Sequence, residues 1–180
     1  GGSTINLMKA ESPGPSVSRL VPHVKDTAKI LYKIYIFITV TEIILLCAFG
    51  MPLFDSLTLS FGTVGTGGFG IKNSSIADYR PALQNIITVF MILSGVNYVA
   101  YFYLISKQIK EMFHVEEIRI YFGVILASSV FIAFNIRSLY PTIGDCFRHA
   151  FFQVGSIITT TGYATTDFDL WPETSKTILV

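Results

Sequence analysis

Charge is scarce in this sequence. Only 14% of its 180 residues are Asp, Glu, Lys or Arg, where a soluble domain carries about 25%. The mean hydropathy is +0.57, and the 51% hydrophobic share includes 15 Phe and 9 Tyr, so lipid is the expected solvent. Basic excess is missing too. A net charge of +1 with no Lys/Arg stripe among the aromatics excludes a nucleic-acid partner. Cysteine is sparse: Cys47 and Cys146 form neither a CxxC pair nor a zinc-ligand spacing, and two isolated thiols do not read as a disulfide framework. The start, Gly1-Gly2-Ser3-Thr4, lacks the charged segment and short apolar run of a signal peptide.

What is present is long apolar runs. Residues 34–50 are interrupted only by Glu42 and two threonines, while residues 82–105 and 120–136 carry no charge. A bilayer core about 30 Å thick needs about 20 apolar residues as helix. The second run meets this directly. The first and third reach it with residues 31–33 and 118–119 as flanks whose basic side chains snorkel to the interface. A fourth run, Thr177-Ile178-Leu179-Val180, reads as the start of another spanning helix, so the sequence is expected to be an excerpt of a longer protein.

Lys and Arg set the orientation. Residues 1–33 and 106–119 hold eight of them in 47 positions, against five in the 71 positions of 51–81 and 137–176. The first pair is therefore assigned to the cytoplasm. Each outer segment contains a shorter apolar stretch, 53–64 and 147–158. About 12 helical residues rise only about 18 Å and cannot cross. Each stretch ends in a Thr/Gly run, the pattern of a re-entrant loop, which is tolerated only when buried in protein or lining water.

The order long helix, short helix, Thr/Gly run, long helix then recurs. An offset of 94 places Thr66-Gly67-Gly68-Phe69 on Thr160-Thr161-Gly162-Tyr163, and Leu53 and Leu57 on Phe147 and Phe151. Repeats in membrane proteins commonly hold the transport site at their interface. A dehydrated potassium ion needs replacement oxygens, and rings of backbone carbonyls supply them. Aiming successive carbonyls at one axis calls for φ values that glycine reaches cheaply. Threonine adds a hydroxyl, the aromatic wedges the strand, and the preceding helix turns its negative dipole end toward the cation. The expected fold class is all-α integral membrane, built of helix–pore-loop–helix repeats like those of a potassium-channel pore. The expected divisions are a cytoplasmic lead-in at 1–30, a repeat at 31–105, a cytoplasmic connection at 106–117 and a second repeat at 118–180. Gly65, Gly67 and Gly70 also fit the spacing of a dinucleotide fingerprint, but no βαβ unit or acidic partner accompanies them.

The stretches Lys9-Ala10-Glu11-Ser12-Pro13-Gly14-Pro15, Gly65-Thr66-Gly67-Gly68-Phe69 and Ile157-Ile158-Thr159-Thr160-Thr161-Gly162-Tyr163-Ala164-Thr165-Thr166-Asp167-Phe168 closely resemble the bacterial Trk-type potassium-uptake subunits (TrkH/TrkG), and the resemblance runs over the whole chain. It implies four such repeats around one pore, of which this chain holds the second, most of the third and the lead-in from the first. It further implies potassium as the transported ion with no cofactor, the bacterial inner membrane, a homodimer, and a cytoplasmic nucleotide-binding regulatory subunit of TrkA type. Potassium filter roles fall on Thr66, Gly67, Gly68, Phe69, Thr160, Thr161, Gly162 and Tyr163. The family's gating loop falls after Val180.

The other polar residues carry plainer readings. Glu42 lies mid-way along the first spanning run, where a carboxylate is either functional or packed against a neighbouring helix. Asn97 and Ser94 read as helix-packing groups. Asp55, Asp145, Asp167 and Asp169 read as solvated acids near the outer mouth, with cation enrichment as their functional alternative. His23, His114 and His149 have no partner at ligand spacing and read as interface residues. Glu111, Glu116 and Glu117 with Lys107 and Lys110 form a solvated connection. Two competing functions are a non-conducting structural membrane subunit and an intramembrane aspartyl protease using Gly144-Asp145. The protease needs a second aspartate inside a spanning segment, and the sequence has none.

Overall fold

The computed structural model describes residues 24–105 and 108–179. Residues 1–23, which include the Lys9-to-Pro15 stretch and His23, lie outside them, as do Lys107 and Val180. Among the described residues all regular structure is helical: α1 (Val24–Ala48), α2 (Leu53–Val64), α3 (Pro81–Ser94), α4 (Tyr98–Ile105), α5 (Ile109–His114), α6 (Glu116–Asn135), α7 (Ile143–Ile158), a 3₁₀ turn at Phe168–Leu170, and α8 (Glu173–Leu179). By length and composition, α1 from Ala28 to Ala48 and the whole of α6 are able to cross a membrane.

The uncharged run 82–105 departs from the single spanning helix expected of it. It breaks after Ser94 and resumes at Tyr98. The break has a local cause. The Ser94 hydroxyl donates back to the Phe90 carbonyl at 2.7 Å, a bond that loosens a helix, and the next residue is the poor helix former Gly95. Hydropathy registers none of this, because neither residue brings charge.

The second short helix starts earlier than its apolar stretch. It opens at Ile143, not Phe147, because Thr142 caps it: the Asp145 amide donates to Thr142 Oγ1 at 3.1 Å. A cap is polar and adds nothing to an apolar pattern. α2 spans the residues expected of it.

The described residues divide into two compact units, residues 24–37 with 96–121, and residues 38–95 with 122–179. In the first, Val96, Ala100 and Ile118 form a small core with Met112 and Val115 packed on it, and Asn97 Nδ2 donates to Glu117 at 2.8 Å. The second holds the main core, which includes Leu46, Leu59, Ile76, Ile87, Met91, Phe152 and Tyr163. In it α3 packs against both α2 and α7. Gly155 sets the approach of α7 to α3: a Cβ there would lie 3.3 Å from Ile92 Cγ1, so the small residue lets the helices close up. Both Thr/Gly runs lie in this second unit.

Candidate functional site: the paired Thr/Gly runs

The two short helices end in the same way, bond for bond. Gly65 N–H donates to Phe61 O at 3.0 Å, and Thr159 N–H to Gly155 O at 3.2 Å. Thr66 N–H reaches Thr63 O at 3.1 Å, and Thr160 N–H reaches Ile157 O at 3.0 Å. Gly67 and Gly68 both donate to Gly62 O, at 2.8 and 3.3 Å, and Thr161 and Gly162 both donate to Ser156 O, at 2.9 and 3.4 Å. Each donor and each acceptor has its equivalent 94 positions on. The dihedrals repeat as well. Thr66 and Thr160 have φ of +48° and +58°, and Gly68 and Gly162 have +64° and +88°. A left-handed threonine costs about 1–2 kcal/mol and persists only where the surroundings enforce it. Here the amides bonded to the helix end do so.

The carbonyls are left over. Among the described residues, no donor is bonded to the backbone oxygen of Thr66, Gly67, Gly68, Thr160, Thr161 or Gly162. Of the six residues only Thr161 is buried, so the runs present open acceptors at the surface of this chain, a ready set of oxygen ligands for a hard cation. The neighbouring threonine hydroxyls are ordered. Thr159 Oγ1 donates to Gly155 O at 2.7 Å, which makes Thr161 the donor in the 2.7 Å Thr159–Thr161 contact.

The second run is wedged against the first repeat. Tyr163 is fully buried, and its hydroxyl lies 3.3 Å from both the Leu59 and the Phe69 carbonyls. Ser156 Oγ donates to Tyr163 O at 2.6 Å. Ala164 is clasped from the other side: its amide donates to Ser75 Oγ at 3.1 Å, and its carbonyl accepts from Ile76 N–H at 3.0 Å. The contact surfaces differ at the two ends of the pair. Phe69, the counterpart of Tyr163, is 77% exposed, and Leu170, the counterpart of buried Ile76, is 75% exposed.

All eight residues singled out in the sequence therefore fall in two equivalent turns, but within this chain Phe69 is left exposed where Tyr163 is wedged. Several flanking residues differ from expectation. His149 is no interface residue: it is buried, its Nδ1 lies 2.8 Å from Thr165 Oγ1, and it stacks on Tyr140. Tyr140 in turn donates to Thr166 Oγ1 at 3.1 Å and accepts from Trp171 Nε1 at 3.1 Å. Ser94 bonds within its own helix. Asp55 accepts from the Tyr79 hydroxyl at 2.9 Å. Asp145 is paired with Arg148 at 2.8 Å and with the Thr142 hydroxyl at 2.6 Å. The Thr142 hydroxyl first, and then Arg148, hold its carboxyl below the usual aspartate range. A carboxyl so engaged opens a helix, and among the described residues no aspartate acts on it. The sequence reading missed Ser75 and Ser156. The 94-residue register pairs Ser156 with Gly62, but nothing about a lone serine marks it as the residue that holds Tyr163.

The profile of the TrkH family, described as cation transport protein, matches residues 4–180. The Trk system potassium uptake protein TrkH of Salmonella typhimurium is 34% identical over 177 residues, covering 96% of this chain and 37% of that protein. TrkH of Halomonas elongata is 35% identical over 173 residues, 92% of this chain and 35% of that protein. The crystal structure of the potassium transporter TrkH from Vibrio parahaemolyticus superposes with a TM-score of 0.83 at 28% identity, over 98% of this chain and 39% of that one. The chain thus spans little more than a third of the length of these relatives.

Proposed function

This chain belongs to the TrkH family of cation transport proteins, and on that premise we propose that it supplies two of the pore loops through which the intact protein takes up potassium. The observation that carries this reading is the matched pair of left-handed Thr/Gly runs whose amides are bonded back to a helix end and whose carbonyls are free. Oxygens held this way replace a potassium ion's hydration shell without a formal charge that would trap it. The pore residues are Thr66, Gly67, Gly68, Thr160, Thr161 and Gly162, with Phe69 and Tyr163 as the wedges. The interface between the two repeats is heterologous, since Tyr163 of one enters α2 of the other. A heterologous contact repeated about an axis closes a ring when the rotation closes. Exposed Phe69 and Leu170 are the two faces such a ring would cover with the remaining repeats of the parent chain. On the family resemblance, the proposal extends to an intact protein that works in the bacterial inner membrane as a homodimer, with a cytoplasmic nucleotide-binding subunit as regulator and potassium as cargo.

The test is potassium uptake by the full-length protein in cells that have no other uptake system. Thr66→Val and Thr160→Val are expected to lower uptake at matched membrane level, and Ser74→Ala and Thr174→Ala to leave it near normal. Equal uptake by all four variants would remove the two runs from the ion path.

Topology is a separate expectation. Each spanning segment reverses the side of the chain and each re-entrant loop returns it, so both Thr/Gly runs open outward when residues 1–33 are inside. Single cysteines at Ser18, Ser74, Lys110 and Thr174, without Cys47 and Cys146, should react with an impermeant thiol reagent from outside at Ser74 and Thr174 only. Labelling of Ser18 or Lys110 in intact cells inverts the assignment.

A further inference from the structure

Each Thr/Gly run is bonded back to the end of its own short helix. The second run is also held from the far side, by the segment that joins the first run to α3. The Ser75 hydroxyl accepts from the Ala164 amide at 3.1 Å, and the Ile76 amide donates to the Ala164 carbonyl at 3.0 Å. Ala164 follows Tyr163 directly, so this clasp fixes the chain one residue beyond the wedge. Ser75 makes it with φ of +55°, a conformation that a serine keeps only where its surroundings enforce it.

The support behind the clasp is Gln84, in the first turn of α3. Its side chain is buried. Its Nε2 donates toward Ile76 O at 3.2 Å, Ala77 O at 3.2 Å and Tyr79 O at 3.1 Å. Three carbonyls around one nitrogen fix which way the amide points, since the flipped amide would set an oxygen against three oxygens. The amide oxygen is buried without a partner. An unpaired buried acceptor is costly, and an apolar side chain would avoid that cost, so the nitrogen is what the position requires. The same segment is tied to α2 through the Tyr79 hydroxyl, which donates to Asp55 at 2.9 Å.

We infer that Gln84 is a positioning residue for the ion path: by gripping residues 76–79 it holds the Ser75–Ile76 clasp on Ala164, and so sets where the second run lies against the first repeat. This rests on the filter reading above. A helix of one repeat thereby acts on the run of the next, through backbone groups alone once the Gln84 amide is in place.

The experiment measures the potassium-over-sodium permeability ratio of the full-length protein at matched membrane level, with Gly68→Ala run in parallel. Gln84→Met keeps length and bulk without the donor and should lower the ratio about fivefold, the equivalent of one buried hydrogen bond. Ser75→Ala removes the acceptor of the Ala164 amide and should lower it similarly, with the double variant less than additive. Gln84→Glu can donate only while protonated, so its ratio should fall in alkaline medium and recover in acid, beyond any change in wild type. Ile132→Val trims a fully buried residue of α6 at a comparable stability cost and should keep the ratio. Should Gln84→Met fail to reach the membrane, Gln84→Glu and Ser75→Ala still decide the matter. An unchanged ratio in Gln84→Met, in Ser75→Ala or in alkaline Gln84→Glu, or an equal loss in Ile132→Val, overturns the proposal. If Gly68→Ala leaves the ratio unchanged as well, it is the filter reading that fails.

Discussion

Gly68→Ala in the full-length protein is expected to abolish potassium selectivity and most uptake, while Gly50→Ala is not. Both glycines have positive φ, +64° at Gly68 and +88° at Gly50, so both substitutions carry a backbone cost of about 1–2 kcal/mol. The difference is what a Cβ meets. At Gly50 nothing lies within 4 Å, whereas at Gly68 the new atom would overlap the carbonyl oxygen of Thr161. That oxygen belongs to the neighbouring run and is one of the free acceptors. The overlap cannot be relieved by a side-chain rotation, because both partners are backbone. One run must therefore shift against the other, and a shift worth about 1.4 kcal/mol in relative ion affinity is already tenfold in selectivity. Gly162 lies between the two cases, with φ +88° and open space around its Cβ position. Gly162→Ala should lower flux less than Gly68→Ala. Reversal potentials in mixed potassium and sodium, with membrane level measured alongside, give the ranking. A Gly50→Ala effect on selectivity equal to that of Gly68→Ala would reduce the Gly68 result to general misfolding.

The repeat and its turns were legible because they rest on residue types with few alternative uses. Thr66-Gly67-Gly68 and Thr160-Thr161-Gly162 fall in equivalent turns, and positive φ at Gly68 and Gly162 is the property that glycine confers. α2 was legible to the residue because Pro52 and the Thr/Gly run bound an apolar stretch. Polar detail was not. The break after Ser94, the Thr142 cap and the burial of His149 each depend on a hydrogen bond whose partner lies elsewhere in the fold or in the backbone. The same holds for Glu42. Its place in an apolar run shows that it is costly, but only the fold shows that it is fully buried with neither carboxyl oxygen hydrogen-bonded. The positive φ of Thr66 and Thr160 was also beyond sequence reading, since threonine rarely adopts it.

Phe69→Ala and Tyr163→Ala together ask whether the pore is a closed ring. Tyr163 is fully buried, and removing a buried aromatic costs about 3–5 kcal/mol. Its hydroxyl also serves the Leu59 and Phe69 carbonyls, so Tyr163→Phe should give a milder loss, about 0.5–1.5 kcal/mol for the hydrogen bond alone. Tyr163→Ala is therefore expected to deplete the full-length protein from the membrane or to lower its unfolding temperature by several degrees. Phe69 is exposed at 77% in this chain, and by that measure its truncation should cost nothing. The 94-residue register says otherwise. If each aromatic enters the short helix of the repeat before it, Phe69 fills a pocket in the preceding repeat of the parent chain, and Phe69→Ala should approach the cost of Tyr163→Ala. Asn73→Ala, four residues further on and also exposed, serves as the surface control and should stay within about 0.5 kcal/mol of wild type. Thermal unfolding of the detergent-solubilised full-length protein orders the variants. A Phe69→Ala protein as stable as Asn73→Ala would mean that the contact made by Tyr163 is not repeated, and that the repeats do not close around a common axis.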